Sequence, residues 1–245
     1  MRKIVFVLFI LLCSCYSITP PDSFVYKEIQ TDIYKLATWQ KITDKNKPVR
    51  IYIEGDGYAF NSHGYPTNNP TPKNTFLRKI AFDDPNENVV YLARPCQYVK
   101  DNHCSQKDWT TGRFSQDIVN STTHAIKEIS NHHSITLIGY SGGAMLSGLI
   151  IEQNSQLNIE KWITIAGLLN HEKWTELLKL QPLKNSLNLK KIPNIKQTHL
   201  VGEKDRVVPY KITKEIVKEK DLIIVPNATH NSGYEDYYSI IYDKN

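Results

Sequence analysis

Residues 135–146 read ITLIGYSGGAML, and this stretch decides the fold. Its first four residues are apolar or β-branched and predict a short buried strand. The next five match the pattern G-x-S-x-G around Ser141, and AML then begins a helix. A strand, a tight turn and a helix form the setting of a nucleophile elbow, which lifts one serine hydroxyl above the sheet. The turn needs small residues two before and two after the serine, and Gly139 and Gly143 meet that need.

Strand-like runs recur on both sides of this stretch and alternate with helix-length segments. The apolar, β-rich runs that predict strands are 49–53, 88–92, 135–138, 161–166, 198–201 and 222–225. Helical spacing of apolar residues predicts helices over 116–129, 144–152 and 210–218, the first with Ser115 as its N-cap. This alternation predicts an α/β fold with a mostly parallel central sheet and helices on both faces.

Three segments interrupt the alternation. Residues 61–74 are rich in Asn, Pro, Thr and Gly and predict a loop, and residues 97–112 are polar. Residues 167–196 separate two strands and predict a small helical cap, whose lysine-rich part from 184 to 196 is interpreted as solvated surface. Nothing in the composition splits the chain, so one domain is expected over 25–245.

The elbow and the alternation together resemble an α/β-hydrolase, over nearly the whole chain after its first residues. In that family the nucleophile is followed by an acid and then by a histidine. Residues 199–209, HLVGEKDRVVP, resemble the family's acid loop and imply Asp205 as the acid, with Glu203 and Asp221 as weaker candidates. His230 follows the last strand, where the family has its base.

The resemblance therefore implies a triad of Ser141, Asp205 and His230 at the carboxyl edge of the sheet, where open α/β sheets place their sites. A serine hydroxyl is a weak nucleophile until a base takes its proton, which is the role expected of His230. Asp205 would hold the imidazole in the required tautomer. The other seven histidines lack this arrangement: His63, His103, His124, His132, His133, His171 and His199.

An oxyanion hole needs two backbone donors. One is expected to be the N–H of Gly142, directly after the nucleophile. The other is expected in the loop after strand 49–53, which reads EGDG and resembles the family's His-Gly-x loop with Glu54 in place of the histidine. That substitution leaves Asp56 and Gly57 as alternatives for the second donor.

The segments YLARPCQY (91–98) and WTTGRF (109–114), with the glycine loop, resemble a bacterial group of exported α/β-hydrolases of unassigned substrate. Arg94 and Arg113 lie in these segments. Each is expected either to bind a substrate carboxylate or to form a structural salt bridge, and the sequence favours neither.

The N-terminus predicts export. Residues 4–12 are unbroken apolar, but nine helical residues rise only about 13.5 Å against a hydrocarbon core of about 30 Å, so they fit a signal peptide rather than a span. Residues 12–15, LCSC, resemble a bacterial lipobox, which implies a signal peptide over 1–14, a lipid on Cys15, a tether over 15–24 and membrane anchoring. Because Tyr16 rather than Asp follows Cys15, the outer membrane, facing the periplasm, is expected. The alternative is an ordinary cleaved signal peptide.

Export to an oxidising compartment bears on the two remaining cysteines. Disulfides persist in such compartments. The sequence therefore predicts a disulfide between Cys96 and Cys104, with two unpaired thiols as the alternative.

Composition excludes several function classes. The chain has 245 residues, 40% hydrophobic and 22% charged, which is typical of one globular domain. Loss of Arg2 and Lys3 with the signal peptide lowers the net charge from +5 to +3, which argues against a nucleic-acid partner. No metal-ligand spacing such as HExxH and no GxGxxG after the first strand is found, so no metal or cofactor is expected.

The sequence thus predicts a serine hydrolase that cleaves carboxylic esters through an acyl-enzyme on Ser141. The substrate is expected to be a small-molecule or lipid acyl ester. A peptidase, an amidase or an acyltransferase with the same triad is the alternative, and a catalytically silent surface binding module is the alternative of another class. The oligomeric state stays open.

Overall fold

The computed structural model describes residues 18–243, so the predicted signal peptide and Cys15 lie outside the described residues. The strands are β1 (Val25–Gln30), β2 (Lys35–Ile42), β3 (Val49–Ile53), β4 (Asn88–Leu92), β5 (Ile135–Tyr140), β6 (Ile159–Ile165), β7 (Lys196–Gly202) and β8 (Leu222–Val225). The helices are α1 (Phe76–Phe82), α2 (Gln106–Trp109), α3 (Gln116–Ser130), α4 (Gly142–Gln153), α5 (His171–Leu177), α6 (Tyr210–Lys214) and α7 (Tyr238–Ile241).

One sheet contains all eight strands in the order β1-β2-β4-β3-β5-β6-β7-β8. The six strands from β4 to β8 in this order run parallel, and β2 and β1 add an antiparallel edge. The predicted α/β class with a mostly parallel sheet is confirmed. The carboxyl ends of β3, β5, β7 and β8 therefore open onto one edge of the sheet.

The antiparallel edge was not expected from the sequence. In β1 only Ile29 is buried, and the strand carries Lys27 and Glu28, so it lacks the apolar run that marks the other strands. Phe24, directly before β1, is buried and packs on Phe82 of α1 with ring centroids 4.8 Å apart. The end of the predicted tether thus lies on the domain.

Helices cover both faces of the sheet. One buried cluster joins the sheet to α3 and α4 through Ile118, Ile126 and Leu146, and the other joins it to α1 and α7 through Ile80 and Ile241. These clusters fix α4 against the sheet at the point where β5 ends.

The N-cap expected for α3 is found, whereas α6 is shorter than expected. Ser115 caps α3, because its side chain accepts the backbone N–H of Ile118, although at 3.4 Å this is a weak contact. Helix α6 ends at Lys214 instead of residue 218. The backbone N–H of Ile216 bonds to Thr213 three residues back, and such tightening at a C-terminus ends an α-helix.

The insertion over 167–196 contains a single helix, α5, followed by an extended segment. Leu183 and Leu189 of that segment are buried, and Leu189 lies against Gly148 of α4. The insertion therefore lies partly along α4. Trp174 of α5 reaches the sheet edge formed by the carboxyl ends of the parallel strands. Within residues 18–243, no helix combines the length and the apolar character needed to cross a membrane.

Candidate active site

Ser141 lies between β5 and α4 in a backbone conformation that L-residues seldom adopt, with φ of 50° and ψ of −120°. Its N–H donates to the carbonyl of Ile165 at 3.1 Å. Its own carbonyl accepts from Ala144 at 3.1 Å and from Leu168 at 3.0 Å. These bonds hold the strand–turn–helix arrangement that a nucleophile elbow requires.

The glycines of the elbow allow close backbone approach. A Cβ on Gly143 would lie 2.3 Å from the carbonyl oxygen of Ile53 at the end of β3, and one on Gly139 would lie 2.6 Å from Cα of Ala144. Both contacts involve backbone atoms that cannot move aside independently. Only glycine at these two positions lets α4 begin directly against the sheet.

The structure brings Ser141, His230 and Asp205 together although 89 and 25 residues separate the bonded pairs. His230 Nε2 lies 3.0 Å from Ser141 Oγ, and His230 Nδ1 lies 2.8 Å from Asp205 Oδ2. A neutral imidazole fits both contacts when Nδ1–H donates to the carboxylate and Nε2 accepts from the hydroxyl. This is the arrangement that lets the histidine take the serine proton.

Asp205 is buried and fully engaged. Its second oxygen, Oδ1, accepts the backbone N–H groups of Val207 at 2.8 Å and Val208 at 2.9 Å. Three hydrogen bonds, two from the acid loop and one from His230, therefore orient this carboxylate. Glu203, one of the alternative acids, instead accepts the backbone N–H of Asn227 at 3.0 Å.

Residues 54–57, which we name the oxyanion loop, leave β3 beside Ser141. The N–H of Gly55 donates to Glu54 Oε1 at 2.8 Å and is therefore not free for a substrate. Asp56 and Gly57 both line the cleft that contains Ser141 and His230. Both candidates for the second oxyanion donor, Asp56 and Gly57, therefore lie beside the nucleophile.

Glu54 occupies the position where the family loop has a histidine. Its side chain is buried and accepts the Tyr91 hydroxyl at 2.5 Å as well as the Gly55 N–H. Burial raises the pKa of this carboxyl against the opposing effect of both hydrogen bonds. Glu54 therefore fixes the start of the oxyanion loop by linking Gly55 to the buried Tyr91.

Arg94 and Arg113 form structural salt bridges, which was one of their two expected roles. Both guanidinium groups bond to the carboxylate of Asp56, one to each oxygen. Each arginine is 4% exposed. Sequence reasoning missed that both converge on the oxyanion loop, because the pairing joins residues far apart in the chain.

The cleft above the triad has a volume of about 260 Å³. Its walls include six apolar side chains that sequence reasoning did not assign to the site: Ala59, Phe60, Leu168, Trp174, Val207 and Val208. Phe60 is 39% and Val207 48% exposed, so the apolar walls extend to the rim. These residues come from the segment after β3, the insertion and the acid loop, and no shared motif marks them.

Two histidines outside the triad are buried elsewhere. His199 in β7 pairs with Thr164 Oγ1 at 2.8 Å and Gln197 Oε1 at 2.9 Å, and burial lowers its pKa to about 4. His171, the first residue of α5, stacks on Phe114. Neither reaches Ser141. Across residues 18–243, no three His, Cys, Asp or Glu side chains are grouped to hold a metal ion.

The structure joins Cys96 and Cys104 by a disulfide, with Cα atoms 5.7 Å apart. The bond lies in residues 94–113, a segment that we name the arginine loop. Gln97 of this loop donates from Nε2 to the carbonyl of Gly55 at 2.9 Å. The disulfide therefore lies next to residues that contact the oxyanion loop.

Comparison with known proteins agrees with this geometry. The family model described as serine hydrolase (FSH1) matches residues 74–230, which span the region from α1 to His230. The match begins after the oxyanion loop. A search of curated proteins gave no significant match.

Solved structures share the fold at low sequence identity. An α/β serine hydrolase homologue from Coxiella burnetii is 15% identical with a TM-score of 0.55, over 93% of this chain and 97% of that one. A serine hydrolase without a lid from Xanthomonas campestris is 12% identical, with a TM-score of 0.56 over 93% and 94%. Est1E from Butyrivibrio proteoclasticus is 12% identical, with a TM-score of 0.61 over 89% and 96%. The chain belongs to the FSH1 serine hydrolase family and is a hydrolase of the α/β-hydrolase superfamily.

Proposed function

We propose that the protein hydrolyses carboxylic esters of small molecules through an acyl-enzyme on Ser141. The observation that carries this proposal is the continuous hydrogen-bonded chain from Ser141 Oγ through His230 to Asp205. His230 Nε2 takes the hydroxyl proton as Oγ bonds to the ester carbonyl carbon. Asp205 stabilises the imidazolium that results.

The negative charge of the tetrahedral intermediate develops on the former carbonyl oxygen. The N–H of Gly142 and that of Asp56 or Gly57 are the donors that we propose for it, at the start of α4 where the helix dipole also favours negative charge. His230 then returns its proton to the leaving alcohol, and the C–O bond of the ester breaks. Water, deprotonated by His230, releases the acid from Ser141.

An ester is favoured over an amide by leaving-group chemistry, since an alkoxide leaves more readily than an amide nitrogen. The apolar walls at Phe60, Trp174 and Val207 favour an uncharged acyl or alcohol group beside the reacting carbonyl. A cleft of about 260 Å³ suits a short chain.

A panel of p-nitrophenyl esters from acetate to decanoate tests this function. We expect hydrolysis with an initial burst of nitrophenol, highest kcat/KM at short chains, and no activity in Ser141→Ala. Release from p-nitroanilides but not from esters would instead support the amidase alternative. No hydrolysis of any ester by folded protein would overturn the proposal.

We also propose that the mature protein is anchored by lipid at Cys15. The support is the sequence alone: a short apolar run, then residues 12–15, LCSC. Metabolic labelling with an alkyne-bearing fatty acid in a bacterial host should mark the wild type and not Cys15→Ser. Equal labelling of both, or none of either, would contradict the proposal.

A further inference from the structure

The arginine loop hydrogen-bonds to two successive residues of the oxyanion loop, Gly55 and Asp56, and lies against the third, Gly57. Asp56 Oδ1 accepts Arg94 Nη1, and Asp56 Oδ2 accepts Arg113 Nη1. The preceding carbonyl, of Gly55, accepts Gln97 Nε2 at 2.9 Å. A Cβ on Gly57, whose φ is +67°, would lie 2.0 Å from the carbonyl of Pro70 and 2.7 Å from Gln97 Nε2. No larger residue fits there.

The two arginines are themselves fixed. Arg94 Nη2 donates to the carbonyl of Arg113, and Arg113 Nε donates to the carbonyl of Thr110 at 2.7 Å. The backbone N–H of Arg94 donates to Gln97 Oε1 at 3.1 Å. The Arg94 guanidinium also lies 5.0 Å from the ring centroid of Phe114. Each guanidinium is planar and rigid, and the two bond to different oxygens of Asp56. Together they therefore fix both the position and the orientation of its carboxylate.

This ion cluster touches the nucleophile's neighbour. A Cβ on Gly142 would lie 2.0 Å from Asp56 Oδ1 and 2.9 Å from Arg94 Nη1. The cluster therefore lies against the residue whose N–H is expected to stabilise the oxyanion. Burial favours the neutral form of Asp56, but Arg113 and Arg94 outweigh it and keep its pKa below the ordinary value.

Charge at this position affects the reaction. A lone carboxylate beside Gly142 would oppose the negative charge of the intermediate. Two guanidinium groups neutralise this carboxylate in a buried environment, where electrostatic interactions are stronger than in water. The arrangement thus removes this repulsion as well as holding the backbone.

We propose that Asp56, Arg94 and Arg113 form a positioning cluster, which fixes the oxyanion loop next to the developing oxyanion. This inference rests on the proposed function, because an oxyanion forms only if Ser141 attacks a carbonyl. All three residues are positioning residues through their side chains. The cluster acts on the intermediate and not on the bound substrate.

The test compares Arg94→Lys, Arg113→Lys and Asp56→Asn with a matched control, Arg50→Lys. Arg50 and Asp84 form another buried Arg–Asp pair at 2.8 Å, placed toward the amino end of β3 and away from Ser141. For each variant, kcat and KM for p-nitrophenyl acetate are measured together with the inhibition constant of phenylboronic acid. The boronate adduct on a serine places a negatively charged oxygen where the oxyanion would lie.

We expect each cluster variant to lower kcat by about 10- to 100-fold, with KM changed less than threefold, because small misplacements of catalytic donors have effects of this size. Boronate affinity should fall in parallel with kcat. Asp56→Asn decides whether position matters, since it increases the positive charge yet loses the doubly bonded anchor. Arg50→Lys should keep the kcat and boronate affinity of the wild type.

Wild-type kcat in a cluster variant, a loss confined to KM, or unchanged boronate affinity would each overturn the inference. If circular dichroism shows that one lysine variant does not fold, the other variant still tests the cluster. It changes the bond to the other oxygen of the Asp56 carboxylate. A wild type without esterase activity would defeat the proposed function itself, and this result is distinct from a variant that behaves like an active wild type.

Discussion

At the scale of single residues, Ser141 is held in a strained conformation by its neighbours. Conformations of this kind cost about 1–3 kcal/mol and persist only where surrounding structure determines them. Here the bonds to Ile165, Ala144 and Leu168 do so. Because the strain lies in the backbone, Ser141→Ala removes the hydroxyl without releasing the turn, and it is the appropriate inactive control.

Asp205→Asn tests the role of the acid. The Asn side-chain oxygen can replace Oδ1 and keep the bonds from Val207 and Val208, so the fold should persist. The amide nitrogen in place of Oδ2 would face His230 Nδ1 and favour the wrong tautomer. We expect kcat for p-nitrophenyl acetate to fall by about 10⁴-fold. A loss below tenfold in folded protein would show that Asp205 is not the triad acid.

His199 makes stability depend on pH. Its pKa of about 4 in the folded chain lies below the ordinary value of 6.5, so the unfolded chain binds more protons between these values. Stability from this residue is complete above pH 6.5 and is lost as the pH falls toward 4. Between pH 7 and pH 4.5 we expect a loss of about 2–3 kcal/mol from His199.

Urea denaturation at both pH values measures this effect. His199→Asn keeps a polar partner for Thr164 and does not titrate. The variant should show a smaller decrease in unfolding free energy between pH 7 and pH 4.5 than the wild type, whatever its stability at pH 7. An equal decrease in both proteins would contradict the buried neutral His199.

At the scale of elements, local patterns predicted the strands that flank the site. β3, β4 and β8 begin and end at the residues expected, because each is a short β-rich run next to a turn. The strand β1 and the helix α1 escaped prediction for a physical reason. Only Ile29 of β1 is buried, so that strand shows no apolar run. Helix α1 has only seven residues after a loop rich in polar residues, so its apolar face at Leu77 and Ile80 is too short to stand out in the sequence.

The disulfide between Cys96 and Cys104 closes part of the arginine loop. Opening a loop of nine residues should lower the free energy of unfolding by about 2.6 kcal/mol in the chain-entropy model. We expect dithiothreitol to destabilise the wild type by this order in urea denaturation, and to leave a Cys96→Ala, Cys104→Ala double variant unaffected. Free thiols at both Cys96 and Cys104 in the oxidised, denatured protein would contradict the pairing.

At the scale of the whole molecule, the sheet topology explains why distant residues meet. Ser141, Asp205 and His230 follow three parallel strands, β5, β7 and β8, whose carboxyl ends share one edge. The site could therefore be proposed from motif order and strand alternation. The apolar walls and the Asp56 cluster could not, since they depend on how long loops pack over the edge, and residue type alone does not encode those contacts.

Trp174 tests whether the insertion sets chain-length preference. Its indole N–H donates to the carbonyl of Val207 at 2.7 Å, which places the ring across one wall of the cleft. Trp174→Ala should raise the ratio of kcat/KM for octanoate to that for acetate by about tenfold, because space for a longer chain opens. Leu177→Ala, on the same helix but 53% exposed and outside the cleft, is the matched control and should leave the ratio unchanged. An unchanged ratio in Trp174→Ala would exclude this wall from substrate selection.

Every step of the proposed reaction requires Ser141 to be a nucleophile activated by His230. Intact-mass analysis after treatment with a fluorophosphonate measures this directly. We expect one adduct per folded chain, located on Ser141 by peptide mapping. The adduct should be absent in Ser141→Ala and should form far more slowly in His230→Ala. No adduct on folded wild-type protein, or an adduct that persists in Ser141→Ala, would contradict the account.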